Sequence, residues 1–236
     1  MCTVIDFHSH ILPGIDDGSA SLEESVAMLQ MEAEQGITHV MATPHFYAQN
    51  DEPDRFLSRR AQAEARLREE MAKYSGLPEF GVGAEVSFFR GMSESEYLPQ
   101  LSIRGKRCIL IEMPPAPWPE AIYRELEEIW EKWGITPIIA HIDRYIRPFR
   151  TYHIPQRLAE MPLLVQANAD FFLKPSTAGM ALKMLKADQI QLLGSDCHNM
   201  SSRKPNLGAA LQRIEQKLGQ DALSPIRVYE TQILGV

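Results

Sequence analysis

The chain has 236 residues, 44% of them hydrophobic, and a formal net charge of −7. That composition supplies a sizeable core, and the acidic balance excludes a non-specific nucleic-acid binder, which needs a basic face to neutralise phosphates. Three cysteines without repeated spacing, Cys2, Cys108 and Cys197, exclude a disulfide framework and suit a reducing, cytoplasmic setting.

The first apolar segment, 3–10, is interrupted by Asp6 and His8 and lacks a basic leader, so it reads as a strand rather than a signal peptide. Nowhere does an apolar stretch approach the ~20 residues of a membrane span. Further strands are expected at 38–45, 79–89, 107–114, 136–143, 163–172 and 190–198, most of them continuous apolar runs typical of a parallel sheet covered on both faces. Between them lie amphipathic helical patterns. The first starts at the capping box Ser21-x-x-Glu24, carries Leu22, Val26, Leu29 and Ala33 on one face, and stops at Gly36. Others run over about 53–74, 117–133, 154–161, 176–186 and 206–219. The alternation, with no linker or repeat, predicts one α/β domain over 1–236. A closed parallel barrel is favoured over an open sheet because no glycine fingerprint for phosphate follows the first strand.

Unusual polar residues fall at the carboxyl ends of these strands. His8 and His10 end the first, His45 the second, Glu85 lies late in the third, Glu112 ends the fourth, His141 the fifth, and Asp196 and His198 the last. Five of the seven histidines thus lie on one rim, where βα barrels build their sites. Strand alternation puts His8 and His10 on one face with Asp6 behind them, and turns Cys197 away from Asp196 and His198. Imidazoles and carboxylates converging from separate strands suit divalent metals. With Asp17 they make nine candidate ligands, more than the roughly six that one ion takes, so two or three ions are expected. Nitrogen and oxygen donors without thiolate suit manganese, iron or zinc.

The string DFHSHILPGIDDGS, followed by ATPH, GAE, LIEMP, IAHIDRY and SDCHN, resembles the PHP (polymerase and histidinol phosphatase) superfamily. Within it the chain is similar to the bacterial manganese-dependent tyrosine phosphatases of capsular and exopolysaccharide loci, the CpsB/YwqE type. The resemblance implies a distorted (β/α)7 TIM-like barrel with a trinuclear metal centre. It places His8, His10 and Asp196 on a first ion, Glu85 bridging to a second held with Glu112 and His141, and Asp17, His45 and His198 on a third. Arg144 and Arg203 match phosphate-binding positions, in keeping with the guanidinium fork's fit to phosphoryl oxygens. Asp17, His45 and His198 are candidates for proton transfer. The resemblance also implies a phosphotyrosine protein as partner, a membrane-associated tyrosine autokinase of polysaccharide export, with no membrane insertion of this chain and with an oligomer possible. Two positions depart from the pattern: Asp143 stands where relatives usually have Glu, and Phe46 where a second histidine often follows ATPH.

Other readings compete. A small-molecule phosphoesterase of the histidinol-phosphatase kind would use the same ligands. An amidohydrolase shares the two-histidine motif but wants a bridging lysine at a strand end. Cys197 to Arg203 fits the C-x5-R loop of cysteine-dependent phosphatases, yet the intervening residues hold no glycine to wrap backbone N–H groups around a phosphate. Tyr47, Phe46, Phe88, Phe89 and Tyr145 are candidates for an aromatic rim, and Asp6 and Asn168 for supporting roles inside the barrel.

Overall fold

The computed structural model describes residues 4–234, so Cys2 and Thr3 lie outside it. Its strand segments are β1 (Ile5–Ser9), β2 (His39–Ala42), β3 (His45–Phe46), β4 (Glu79–Val82), β5 (Glu85–Ser87), β6 (Cys108–Glu112), β7 (Thr136–Ile139), β8 (Leu164–Asn168) and β9 (Leu192–Gly194). All pair in parallel, β1 with β2, β2 with β4, β3 with β5, and then β5 to β9 in order. β9 returns beside β1, where His10 N–H donates to the Cys197 carbonyl at 2.9 Å and Asp196 N–H to the His8 carbonyl at 2.8 Å. β2 and β3 form one broken strand, as do β4 and β5, which leaves seven strand positions in a closed ring, the distorted (β/α)7 barrel. The first break falls at Thr43-Pro44, where proline has no N–H to give the ladder. Neighbouring bonds carry the pair across it: Gly83 N–H reaches Ala42 O at 2.9 Å and Glu85 N–H reaches Pro44 O at 3.0 Å.

The longer helices follow the sequence periodicity: α1 (Leu22–Glu34), α2 (Pro53–Met71), and, after the short α3 (Leu98–Leu101), α4 (Glu120–Trp133). Ser21 caps α1 as expected, accepting from Glu24 N–H at 3.2 Å. Beyond β7 come α5 (Asp143–Ile146) and α6 (Ile154–Leu158); α7 (Ala169–Leu173) and α8 (Ala178–Lys186) follow β8; α9 (Leu207–Leu218) and α10 (Ser224–Leu234) follow β9. No helix among the described residues is long and apolar enough to cross a membrane. Two expected strands are shorter than their apolar runs. The 163–172 segment turns at Asn168 into α7, and the 190–198 segment leaves the sheet after Gly194. An apolar run alone cannot separate a buried strand from a buried helix.

The core has two parts. Ile5, Phe7, Met41, Cys108, Leu110, Ile138, Ala140 and Leu192 fill the barrel interior, whereas Val40, Ile109, Ile111 and Ile139 pack outward with helix residues such as Leu29 and Ile129. β1 breaks its own alternation between these layers. Its pairing with β2 slips by one residue between Asp6 and Ser9. Such a bulge re-aims side chains. Phe7 stays inside, His8 also turns in, and Asp6 points out to Glu32 of α1. Asp6 therefore does not lie behind the histidines inside the barrel, as alternation predicts.

Candidate metal centre

His8, His10, His45, Glu85, Glu112, His141, Asp196 and His198 come together at the carboxyl end of the barrel. Register explains part of this: His45 pairs directly with Glu85, and Ser87 with Glu112. Tight backbone contacts explain more. A Cβ on Gly194 would lie 2.6 Å from His8 Cβ, and one on Gly18 would lie 2.4 Å from the His10 carbonyl. Two turns that carry candidate ligands are strained: His141 has φ +30° and Asp196 φ +54°. Non-glycine residues there cost on the order of 1–3 kcal/mol and cluster at functional sites.

Hydrogen bonds fix which nitrogen each imidazole presents. His10 Nδ1 lies 2.8 Å from Asp16 Oδ2, His8 Nδ1 3.3 Å from Gln166 Oε1, and His198 Nδ1 3.0 Å from the Asp196 carbonyl. Each partner oxygen can only accept, so each Nδ1 carries a proton and each Nε2 is the nitrogen left to meet an ion. Two of those Nε2 atoms, on His8 and His10, face each other at 3.1 Å. Glu85 Oε2 sits 3.2 Å from the former, 3.3 Å from the latter and 2.9 Å from His45 Nδ1. His141 Nε2 approaches Glu85 Oε1 at 2.7 Å and Glu112 Oε1 at 3.8 Å. Asp196 Oδ1 is 3.6 Å and 3.5 Å from the Nε2 atoms of His8 and His10. His45 Nδ1, Glu85 Oε2 and His198 Nε2 are buried without a hydrogen-bond partner among the described residues.

This donor set fits divalent cations. Three overlapping groups have ligand atoms within 4.8 Å of one another: His8, His10 and Glu85; His10, His45 and His198; and His45, Glu85 and Glu112. Burial opposes charge on Glu85 and Asp196, but His8 and His10, which these carboxylates push up against their own burial, outweigh it and hold both carboxyls well below the ordinary range; a cation bound there takes the place of the imidazole protons. Burial and the His10 charge push His198 down to about 4, which keeps its imidazole neutral at physiological pH. Neutral imidazoles among ionised carboxylates are what such ions bind.

Asp17 stands apart from this buried set. Its side chain is 70% exposed, with Oδ1 3.5 Å from the Nε2 atoms of both His45 and His198. Arg144 and Arg203 take opposite oxygens of Asp196, and Arg144 also lies 3.2 Å from His141 Nε2. Phe46 packs in the core against Phe56, 5.0 Å between ring centres. Asp143 is half-buried, with Oδ1 lacking a hydrogen-bond partner among the described residues.

Sequence reasoning missed two supports. Asp16, the neglected first member of the aspartate pair, accepts from His10, from His45 N–H at 3.0 Å and from Gly18 N–H at 3.0 Å. Gln166 accepts from His8 and from His141 N–H at 2.7 Å, then donates to Asn168, whose amide reaches Asp196 Oδ2 at 2.8 Å. Alternation along β8 puts Gln166 on the face of Asn168, a signal that was available.

Among known proteins, a family model described as capsular polysaccharide synthesis, CpsB/CapC, matches residues 4–234. The tyrosine-protein phosphatase YwqE of Bacillus subtilis is 30% identical over 225 residues, 92% of this chain and 86% of that protein. The tyrosine-protein phosphatase CpsB of Streptococcus pneumoniae is 29% identical over 226 residues, 92% of this chain and 91% of that one. In fold, the chain is similar to a crystal structure from work on YwqE and CpsB, described as unique metal-dependent tyrosine phosphatases. The TM-score is 0.84 at 23% identity, covering 97% of this chain and 93% of the other. A phosphotriesterase homology protein from Escherichia coli shares the fold alone, with a TM-score of 0.59 at 12% identity over 98% of both chains. By the extent of the family match and the identity to its curated relatives, the chain belongs to the CpsB/CapC family of capsular polysaccharide synthesis.

Proposed function

We propose that this protein is a metal-dependent phosphomonoesterase that hydrolyses phosphotyrosine on a protein, with manganese as its native ion. The observation that carries the reading is the convergence of the Nε2 atoms of His8, His10 and His141 on Glu85, with Asp196 beside the first two and beneath two arginines. His8, His10 and Asp196 would hold one ion, Glu85, Glu112 and His141 a second, and Asp17, His45 and His198 a third. Ions bound there supply a water of lowered pKa and offset charge on the phosphoryl oxygens.

The chain's own residues do the rest. Arg144 and Arg203 present guanidinium forks beside the donor set, where bidentate bonds orient a phosphate and grip its developing charge. Asp16, Gln166 and the Asp196 carbonyl hold the imidazoles in the tautomer that leaves Nε2 free. A phenol is a better leaving group than an aliphatic alcohol and asks little of a general acid. Asp17, exposed at the rim beside His45 and His198, is placed to carry the proton. The names and extent of the curated relatives favour phosphotyrosine over a small phosphorylated metabolite. The family resemblance extends this reading to a tyrosine kinase of capsule synthesis as the physiological substrate.

The test is paired: elemental analysis of the purified protein, and phosphotyrosyl-peptide hydrolysis with manganese or after exhaustive chelation. Turnover is expected to need the metal and to exceed that on phosphorylated metabolites. Activity that survives chelation overturns the reading.

A further inference from the structure

A substrate phosphate between Arg144 and Arg203 fixes only one end of the molecule. The aryl group must leave the metal centre in some direction, and downward is closed, because His8 and His10 are fully buried. Beside the centre lies a cleft of about 380 Å³ lined by Ile15, Asp17, His45, Tyr47, Arg55 and Arg59 among others. Two of these, Asp17 and His45, belong to the candidate ligand set, so the cleft begins where the metal donors end. Its volume is in the range that takes a small organic group with its neighbours.

Five aromatic residues near the strand ends could receive such a ring, and the structure separates them. Phe46 is spent in the core against Phe56. The buried Tyr145 hydroxyl accepts from Met113 N–H at 2.9 Å and lies 3.1 Å from His141 Nδ1. Phe88 and Phe89 pack against the core. Tyr47 is different: it lines the cleft, is 37% exposed, and stacks on His45 with ring centres 5.2 Å apart at 28°. Its position at the edge of a ligand imidazole sets a flat apolar surface next to the phosphate position.

The charges around the cleft are also unequal. Arg59 is tied to Asp51 in an ion pair, whereas Arg55 is exposed and makes no hydrogen bond or ion pair among the described residues. Both come from α2, one turn apart.

We infer that this cleft is the aryl subsite, in which Tyr47 stacks on the phosphotyrosine ring and Arg55 meets an acidic side chain beside it in the peptide. The substrate class is then phosphotyrosine in an acidic stretch. This rests on the phosphotyrosine reading above and adds the surface that recognises what the phosphate is attached to. Stacked aromatic pairs contribute modestly, so the effect of losing one is roughly fivefold to tenfold.

The experiment uses the manganese-loaded full chain. Calorimetry with phenylphosphonate and methylphosphonate separates ring from head group, and metal content is measured for every variant. Tyr47→Ala is expected to weaken phenylphosphonate binding roughly fivefold to tenfold, leave methylphosphonate binding and metal content unchanged, and raise KM for phosphotyrosyl peptides more than it lowers kcat. Tyr47→Phe restores the ring contact. Arg55→Glu should shift preference from glutamate-flanked to lysine-flanked phosphotyrosyl peptides. Equal loss for both phosphonates, or loss of metal in Tyr47→Ala, reduces Tyr47 to a prop for His45 and overturns the subsite. A wild type indifferent to flanking charge overturns the role of Arg55. If the wild type leaves phosphotyrosyl peptides intact while metal is bound, the functional reading itself falls and takes the subsite with it.

Discussion

Two clusters of metal-capable groups lie on opposite faces of β1, only a residue or two apart in sequence. Inside the barrel mouth are His8, His10 and their partners. Outside, between β1 and α1, Asp6, Glu32 and Cys197 also bring their donor atoms within 4.8 Å of one another. Proximity alone does not distinguish the two. In the inner cluster, outer hydrogen bonds place protons on Nδ1 so that Nε2 atoms converge, and Arg144 and Arg203 stand at the mouth. The outer cluster has neither imidazole nor arginine. Burial pushes the Asp6 carboxyl up from its ordinary value, partly offset because Oδ1 accepts from His8 N–H at 3.0 Å and Ser195 N–H at 2.9 Å. Burial, then the Asp6 charge, pushes the Glu32 carboxyl up to about 10, so Glu32 keeps its proton at neutral pH. One cluster has the arrangement that suits cations; the other ties the ends of β1 and β9 that carry the candidate ligands together. Orientation of lone pairs and charge balance separate them, rather than the count of donors.

Cys197 belongs to the outer cluster. Its thiol lies 4.0 Å from Glu32 Oε1, and burial, followed by the neighbouring Glu32 and Asp6 carboxyls, pushes it well above the ordinary thiol value. The N–H groups of His198 and Asn199 are turned to the Arg203 carbonyl instead of forming an open cradle. The C-x5-R match is therefore a coincidence of spacing, and this loop is not a cysteine nucleophile site.

The contrast can be broken most sharply from the inside. His10→Ala should abolish bound metal and lower turnover by more than about 100-fold, while circular dichroism shows the fold retained; Gln166→Ala, removing only an outer partner, should cost roughly 10–100-fold in metal affinity. Wild-type metal content in His10→Ala would show that the inner cluster is not the centre. The outer cluster should answer to pH. Glu32 has its folded pKa raised above the ordinary 4.5, so its contribution to stability is complete below 4.5 and is lost as pH rises toward 10. Glu32→Gln removes that slope, and its melting temperature relative to wild type should climb between pH 5 and pH 9. A flat difference would mean that Glu32 holds no extra proton. The smallest effect is expected for Cys197→Ser: turnover and metal content within about twofold of wild type, with a modest loss of stability from burying a hydroxyl. A collapse of turnover with metal retained would restore the thiol mechanism.

Much of the site is legible because chemistry-bearing residues recur at strand ends, where an apolar run offers no other reason for His8, His10, Glu85 or His141. Asp196 and His198 reach the centre as expected, but from a loop with positive φ at Asp196 rather than from the end of β9. The outward turn of Cys197 likewise comes from that loop and not from strand alternation. Asp6 was misplaced because a one-residue slip inverts every face assignment that depends on a period of two. Gln166 and Asp16 were passed over because an amide and a second aspartate carry no metal motif of their own. Their role exists only through the imidazoles they face.

The sequence by itself determined the barrel's alternation, the helix starts such as Ser21, and the kinds of group that gather at one rim, because apolar periodicity and residue chemistry are local properties. Only the tertiary structure decided which aspartate steadies His10, which tyrosine faces the cleft and which carboxyl keeps a proton. Those outcomes depend on the β1 bulge, the break at Pro44 and contacts between segments up to 189 residues apart, and pairwise geometry at that range is not written in any local pattern.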